Sequence, residues 1–365
     1  MDFTIDAEQK ALVKATRDLI GNVYDSSETR RAITKTDPGF AAWEQLAEMG
    51  LLSLPFEATP VETSLVAEEL GRVIAPDPFV EAIVFAGGLV AAAGSAEQVE
   101  QLSESIADGS TLAIVAWAEP GSRWGTKASA VTFADGVLNG VKSPVVQAER
   151  ADVLIVSAAT SDGTGLFVVR DGYELVTQRT LDGSRAAKVT FSNTPAEPLG
   201  VGGDKEAALA LALDKARIAY AHEAVGSMQT CLETTVGYLK TRKQFGVPLN
   251  TFQALNFRAA DMYVALELAR SVITWATIVA AEETSTPEAI AAAASQAALQ
   301  VSVAGRHIGQ DAVQLHGGIA MTAEYSVGHH LARLTAIEHL IGDGAFHRAR
   351  LAETMGDHGV LDPIG

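Results

Sequence analysis

Apolar residues recur at three- and four-residue intervals through the first 110 positions, which predicts helices there. Leu12, Ala15, Leu19 and Val23 follow Asp6, an N-cap candidate. Phe40, Trp43 and Leu46 form a second stripe, stopped by Gly50, and a third run from Thr63 to Ala75 precedes Pro76 and Pro78. Ser95 with Gln98 reads as a capping box for a helix that closes at Gly109. From Leu112 the pattern changes. Leu112–Ala118, Ala130–Ala134, Val153–Ser157, Leu166–Val169 and Lys188–Phe191 are short, rich in Val, Ile and Phe, and punctuated by Gly, Asp or Ser. Asp135-Gly136 and Asp162-Gly163 are hairpin turn dipeptides. From about residue 204 the helical period returns in three long Ala-rich runs, at about 204–242, 250–283 and 286–316. Thr286-Pro287-Glu288 is a helix start, with an N-cap, a proline at the first position and an acid. Shorter helices are expected over Ala323–Ala336 and Gly344–Met355.

The pattern therefore predicts an α+β chain in three parts: a helical domain over 1–110, an antiparallel β-domain over 111–200, and a helical bundle over 201–365. Broad apolar faces on long Ala-rich helices exceed what one bundle covers, which predicts packing against further subunits.

Composition narrows the partners. The net charge of −18, from 45 acidic against 27 basic residues, speaks against nucleic acid and anionic membrane surfaces. The apolar run Val84–Ala93 is too short to span a bilayer, no uninterrupted run approaches 20 residues, and the first residues are acidic rather than those of a signal peptide, so no membrane insertion is expected. The one cysteine, Cys231, excludes an intrachain disulfide and fits a reducing cytoplasm. Adjacent His329 and His330 do not share a helix face, so no metal site is expected there.

Two stretches combine polar side chains with bare backbone where long helices stop. One is Thr241-Arg242-Lys243-Gln244-Phe245-Gly246, followed by Phe252-Gln253; the other is Gln314-Leu315-His316-Gly317-Gly318. An Arg, a Gln amide and Gly backbone together suit a diphosphate and a ribose. The order and spacing of Arg242, Gln244, Phe245, Gly246, Gln253, Gln314, Gly317 and Gly318 resemble the signature of the acyl-CoA dehydrogenase family. Weaker likenesses support it: Glu68-Glu69-Leu70-Gly71-Arg72, Leu138-x-Gly140-x-Lys142, and Leu181–Phe191.

The resemblance implies FAD as cofactor, an acyl-CoA thioester as substrate, and an electron-transfer flavoprotein as electron acceptor. It also implies a tetramer in which Arg242, Gln244, Phe245, Gln253, Gln314, Gly317 and Gly318 reach the FAD of a neighbouring subunit. A carboxylate base would take the proton α to the thioester. At the family's two usual base positions this sequence places Ile341, within Leu340-Ile341-Gly342-Asp343, and Ala216, within Lys215-Ala216-Arg217. Neither takes a proton. The nearest carboxylates, Asp343 and Glu338, are the candidates for a moved base; as structural residues they would be a helix N-cap and part of a solvated face.

The flavin-facing motifs depart as well. Ala118-Glu119-Pro120-Gly121-Ser122-Arg123-Trp124-Gly125 keeps Glu-Pro-Gly but loses the preceding hydroxyl, and Pro144-Val145-Val146 stands where the family has Trp-Ile-Thr. Trp124 either fills the space of an absent isoalloxazine or anchors its loop. The leading expectation is a subunit that completes the FAD site of a homologous partner. The alternatives are a self-sufficient homotetrameric dehydrogenase with a relocated base, a non-catalytic structural subunit, and a related flavin oxidase or monooxygenase.

Overall fold

A computed structural model describes residues 4–24 and 39–357. The first helical part contains α1 (Ala7–Tyr24), α2 (Trp43–Glu48), α3 (Pro60–Val73), α4 (Phe79–Ala93) and α5 (Ala96–Ala107). The local signals act as expected. Asp6 Oδ1 accepts from the Gln9 amide at 2.8 Å, and Ser95 and Gln98 close a reciprocal capping box. Thr59 and Glu62 form another, at the start of α3. The first nine residues of α4, Phe79–Gly87, are wound as a π-helix, a wide turn that often marks a functional segment.

The middle part is one sheet of eight strands: β1 (Ala113–Ala116), β2 (Thr132–Ala134), β3 (Val137–Val146), β4 (Val153–Thr160), β5 (Gly163–Val169), β6 (Tyr173–Arg179), β7 (Arg185–Pro195) and β8 (Glu197–Pro198). The spatial order is β6-β7-β3-β2-β4-β5-β8, with β1 beside β4. The sheet is antiparallel, as expected, at every strand pairing but two. β1 runs parallel to β4 through four residue pairs, and β2 also meets β4 in parallel. The long excursion from β1 to β4 allows this, because parallel neighbours need a crossover rather than a hairpin. β6 gave no clear sequence signal, being a largely exposed edge strand with little apolar alternation.

The last part is built on α6 (Glu206–Thr241), a 36-residue helix. Around it lie α7 (Gln253–Ala281), α8 (Pro287–Gln300), α9 (Arg306–His316), α10 (Ser326–Ile341) and α11 (Gly344–Glu353). A wide π turn, Val301–Gly305, links α8 to α9 without breaking the rod. α10 runs to Ile341, five residues beyond the expected end at Ala336.

Two glycines decide how the first part meets the last. A Cβ on Gly71 of α3 would lie 2.0 Å from the Glu223 carbonyl oxygen, and one on Gly226 of α6 would lie 1.9 Å from that of Glu68. The helix backbones cross in contact, and only Gly at each position permits it. The apolar residues of all three parts form one continuous core.

Candidate active site

A cavity of about 340 Å³ opens where the π-helical turn of α4, the end of β1, the end of β3, α6 and the α10–α11 corner converge. Its walls are mostly apolar, with Phe85, Ile114, Trp117, Leu213 and Ile341 among them. That volume lies in the ordinary range for a small-molecule site.

Of the two positions expected to carry a base, Ile341 lines this cavity and Ala216 does not. Arg217 Nε donates to the Ile341 carbonyl oxygen at 2.9 Å, so the residue beside Ala216 is tied to residue 341. Arg217 Nη1 also bonds Asp214 at 2.8 Å, and Asp214 is gripped by Arg350 at 2.7 and 2.8 Å. His347 Nε2 lies 3.0 Å from the same Ile341 carbonyl. Burial, then the charge of Arg217, pushes His347 down to about 4, so the ring is neutral and donates from Nε2. The backbone at residue 341 is thus held from two sides, while the side chain is apolar and buried. Ala216 is also fully buried.

Asp343 lines the cavity mouth and caps α11, its Oδ1 accepting from the Phe346 amide at 2.8 Å. Glu338 faces away, into a second, more polar cavity with Arg306 and Arg348. There it accepts from Ser302 Oγ at 2.7 Å and from Arg306 Nη2 at 3.0 and 3.2 Å.

On the sheet side, Pro144 and Val146 face the cavity and Val145 is buried in the core, as the side-chain alternation of a strand requires. Ala118 completes that wall. No hydroxyl or aromatic ring stands at any of these positions. Trp124 reaches from the loop after β1 to the opposite side of the cavity. Its indole N–H donates to the His339 carbonyl at 2.7 Å, and its ring lies 5.3 Å from that of Phe346. Arg123 Nη1 stands 3.9 Å from Asp343 in the same bridge.

The Glu-Pro-Gly and Leu-x-Gly-x-Lys stretches meet each other. Lys142 Nζ is buried and donates to Glu119 Oε1 at 2.8 Å, Ser157 Oγ at 2.8 Å and the Trp117 carbonyl at 3.1 Å. Glu119 also accepts from the amides of Ser129, Ala130 and Val131. Burial alone would raise the Glu119 carboxyl; the bonds from Lys142 and the Ala130 amide outweigh it and bring it to about 2. Burial lowers Lys142 to about 8 against the opposing pull of Glu119. Gly140, at φ +133°, is required there because a Cβ would lie 2.2 Å from the Ala130 carbonyl.

The other two sequence stretches also come together, far from the cavity. Tyr238, one turn before Arg242, stacks on His316 with ring centroids 4.4 Å apart, and Tyr325 adds a third ring. Between them Lys243–Gln244 and Val247–Pro248 pair as a small hairpin, whose turn places Phe245 at φ +55° and Gly246 at φ +83°. Arg242, Gln244, Phe245, Gln253, Gln314, Gly317 and Gly318 are all exposed, Phe245 at 91%. At about 1.5 Å per residue, the stretch of α6 from Tyr220 at the cavity to Arg242 is roughly 33 Å long.

Sequence reasoning missed Glu81 and Tyr220, which line the cavity where α4 and α6 meet it. Glu81 lies in a uniformly apolar stretch and Tyr220 in a long Ala-rich one, and no linear pattern joins them.

Comparison with known proteins agrees with this architecture. The model of the acyl-CoA dehydrogenase N-terminal domain matches residues 6–110, and that of the C-terminal domain matches residues 207–356. The acyl-CoA dehydrogenase IpdE2 of Mycobacterium tuberculosis is 31% identical over 81% of this chain and 81% of its own length. A probable acyl-CoA dehydrogenase of Bacillus subtilis, YngJ, is 28% identical over 96% of this chain and 98% of its own. Among solved structures, a variant of the Tcur3481–Tcur3483 steroid acyl-CoA dehydrogenase superposes with a TM-score of 0.86 at 29% identity, covering 96% of this chain and 98% of that one. The ChsE4–ChsE5 complex of Mycobacterium tuberculosis shares the fold, with a TM-score of 0.88 at 22% identity over 99% of this chain and 100% of that one.

The chain belongs to the acyl-CoA dehydrogenase family. It is a member of a class of oxidoreductases that act on the CH–CH bond of acyl-CoA thioesters with FAD as cofactor.

Proposed function

We propose that this chain is a subunit that completes the FAD site of a homologous partner within a hetero-oligomeric acyl-CoA dehydrogenase. The observation that carries the reading is the division of the site. The exposed cluster of Arg242, Gln244, Phe245, Gln253, Gln314 and the two glycines lies a helix length from the chain's own cavity. One dinucleotide held in that cavity does not span roughly 33 Å of helix. A flavin that touches Arg242 is therefore seated against another subunit's sheet.

The residues fit FAD on one side only. The exposed cluster offers a guanidinium, amides and open backbone to a diphosphate. The chain's own cavity offers Ala118, Pro144 and Val146 on the sheet side, with Trp124 bridging to His339 where a ring would enter. When bound, FAD supplies the oxidising power of the reaction. What this chain contributes is the grip on the diphosphate half. Its positions 216 and 341, Ala and Ile, supply no base.

The assembly is a tetramer of paired subunits in this reading. Phe257, Tyr263, Val264 and Leu268 of α7 are all more than half exposed, and such an apolar face marks an interaction surface. α7 is long and apolar enough to cross a membrane by composition; the ion pairs of Arg258 with Asp311 and of Arg270 with Glu68 fix it in the bundle instead. The sequence expectation weighed only uninterrupted apolar runs and missed this helix. In the same reading an electron-transfer flavoprotein takes up the electrons, as in the family at large, and the cell compartment is the cytoplasm.

The test is to purify the chain alone and co-expressed with a homologous acyl-CoA dehydrogenase subunit, then to record the flavin spectrum and its bleaching by octanoyl-CoA. The expected result is little flavin in the lone chain and a yellow complex with fewer FAD than chains. Absence of a positioned base costs about 10²–10⁴-fold in rate. Full FAD occupancy with fast bleaching by the lone chain overturns the reading. Asp343→Asn would then be the first variant to make, since Asn keeps the cap and Asp343 lines the cavity.

A further inference from the structure

The cavity carries a polar pair to which neither the fold nor the reading above gives a task. Glu81, in the first π-helical turn of α4, and Tyr220, on α6, line the cavity together. Behind them stands Arg333, which donates to both oxygens of Glu223 at 2.6 and 3.0 Å and to Asp182 at 2.9 Å. Arg333, Glu223 and the Asp182 side chain are all buried.

Glu81 is thus a third carboxyl beside one guanidinium that two others already engage. An ionised Glu81 would leave a surplus negative charge on the wall of a mostly apolar cavity. Holding a proton is the cheaper state. Burial raises the Glu81 carboxyl; Arg333 opposes the rise and Glu223 adds to it. Tyr220 is pushed well above its usual range, by burial first and then by Glu81, so its hydroxyl keeps its proton and is available to Glu81 as a donor. The carboxylic O–H of Glu81 then remains as a donor for the cavity. Elsewhere the inner walls are apolar, with Phe85, Ile114 and Leu213, while the mouth is marked by exposed Arg123.

We propose that Glu81, supported by Tyr220, is a specificity-determining residue that donates a hydrogen bond to an oxygen on an otherwise apolar acyl group, at the end farthest from the cavity mouth. The ligand class is an acyl thioester bearing a ketone or hydroxyl near its distal end, in preference to a plain saturated chain. This rests on the cavity being an acyl site of the family type. It does not depend on which subunit holds the flavin.

The test is calorimetric titration of the purified protein, with its partner subunit where that is needed for solubility, using octanoyl-CoA and 7-oxooctanoyl-CoA. The oxo compound is expected to bind about five- to tenfold more tightly, the gain of one net hydrogen bond. Glu81→Gln, whose amide still donates, keeps the preference. Glu81→Leu removes it, and Tyr220→Phe, which leaves the ring in place, weakens it. Equal binding of the two thioesters by the native protein overturns the inference and leaves the acyl site standing. Loss of the preference in Glu81→Gln also overturns it, because a donor at position 81 would then not be what selects the ketone. If neither thioester binds, the acyl-site reading fails and the inference falls with it. Should Glu81→Leu not fold, the Gln and Phe variants decide.

Discussion

The guanidinium of Arg217 lies 2.9 Å from the carbonyl oxygen of Ile341, joining residues 124 apart in the chain. That bond ties α6, next to Ala216, to the end of α10. The clamp around residue 341, with Arg217 on one side and His347 on the other, is the scaffold that would hold a catalytic side chain still. The side chain it holds is isoleucine.

Arg242→Ala should lower flavin retention in the assembly by about 10- to 100-fold, because a charge-assisted hydrogen bond is worth about 1.5–3 kcal/mol. Arg242 is exposed, so the unfolding free energy of the lone chain, from urea titration, should change by no more than about 0.5 kcal/mol. Flavin release measured by ultrafiltration separates the two effects. Unchanged retention would exclude Arg242 from the cofactor contact.

Replacing Trp124 with Ala removes its hydrogen bond to His339 and its contact with Phe346. The expected loss is about 1–2 kcal/mol in urea unfolding, with faster proteolytic cleavage in the 121–125 loop. A variant as stable and as protease-resistant as the native chain would show that the bridge contributes nothing.

Breaking the Glu119–Lys142 pair should cost more. Lys142→Met leaves a buried carboxylate without its cation, a change of about 3–5 kcal/mol. The double variant Lys142→Met with Glu119→Gln should lose less than the sum of the single ones, since the two side chains are in direct contact. Additive losses from the three urea curves would contradict the coupling.

Stability should fall in acid. Glu68 and Glu119 are each held at about 2, against an ordinary 4.5. For Glu68 burial works the other way, and the bond from His222 and the charge of Arg270 overcome it. Carboxyls lowered in the folded state stabilise it fully above about pH 4.5, and that contribution is lost as pH falls toward 2. Asp77, raised to about 6 from 3.8 by burial, acts in the opposite direction between those values. The urea midpoint should therefore drop most steeply below pH 4. Glu119→Gln should flatten that drop, and an equally steep curve in the variant would refute the assignment.

Leu268→Glu places a charge on the exposed apolar face of α7. Sedimentation should show a smaller species with unchanged helix content. An unaltered mass would move the subunit interface elsewhere.

The sequence alone determined the order of elements, the caps at Asp6, Ser95 and Thr286, and the turn at Asp135-Gly136. Each of these is local: a period, a cap or a motif is written in neighbouring residues and needs no partner to be legible. The expected ends shifted where neighbours decide them. α10 continues to Ile341 because its last turn is buried against α6, and β1 pairs in parallel because β4 returns beside it.

Only the tertiary structure decided what meets what. It turned Glu119 and Lys142 from two flavin-side motifs into one buried pair, set Glu338 in an ion pair with Arg306 outside the cavity, and put Glu81 of α4 and Tyr220 of α6 on the wall of one cavity. Charge pairing and burial depend on distances across the fold. In a desolvated interior the nearest opposite charge fixes whether a carboxyl is ionised, and its position along the chain does not.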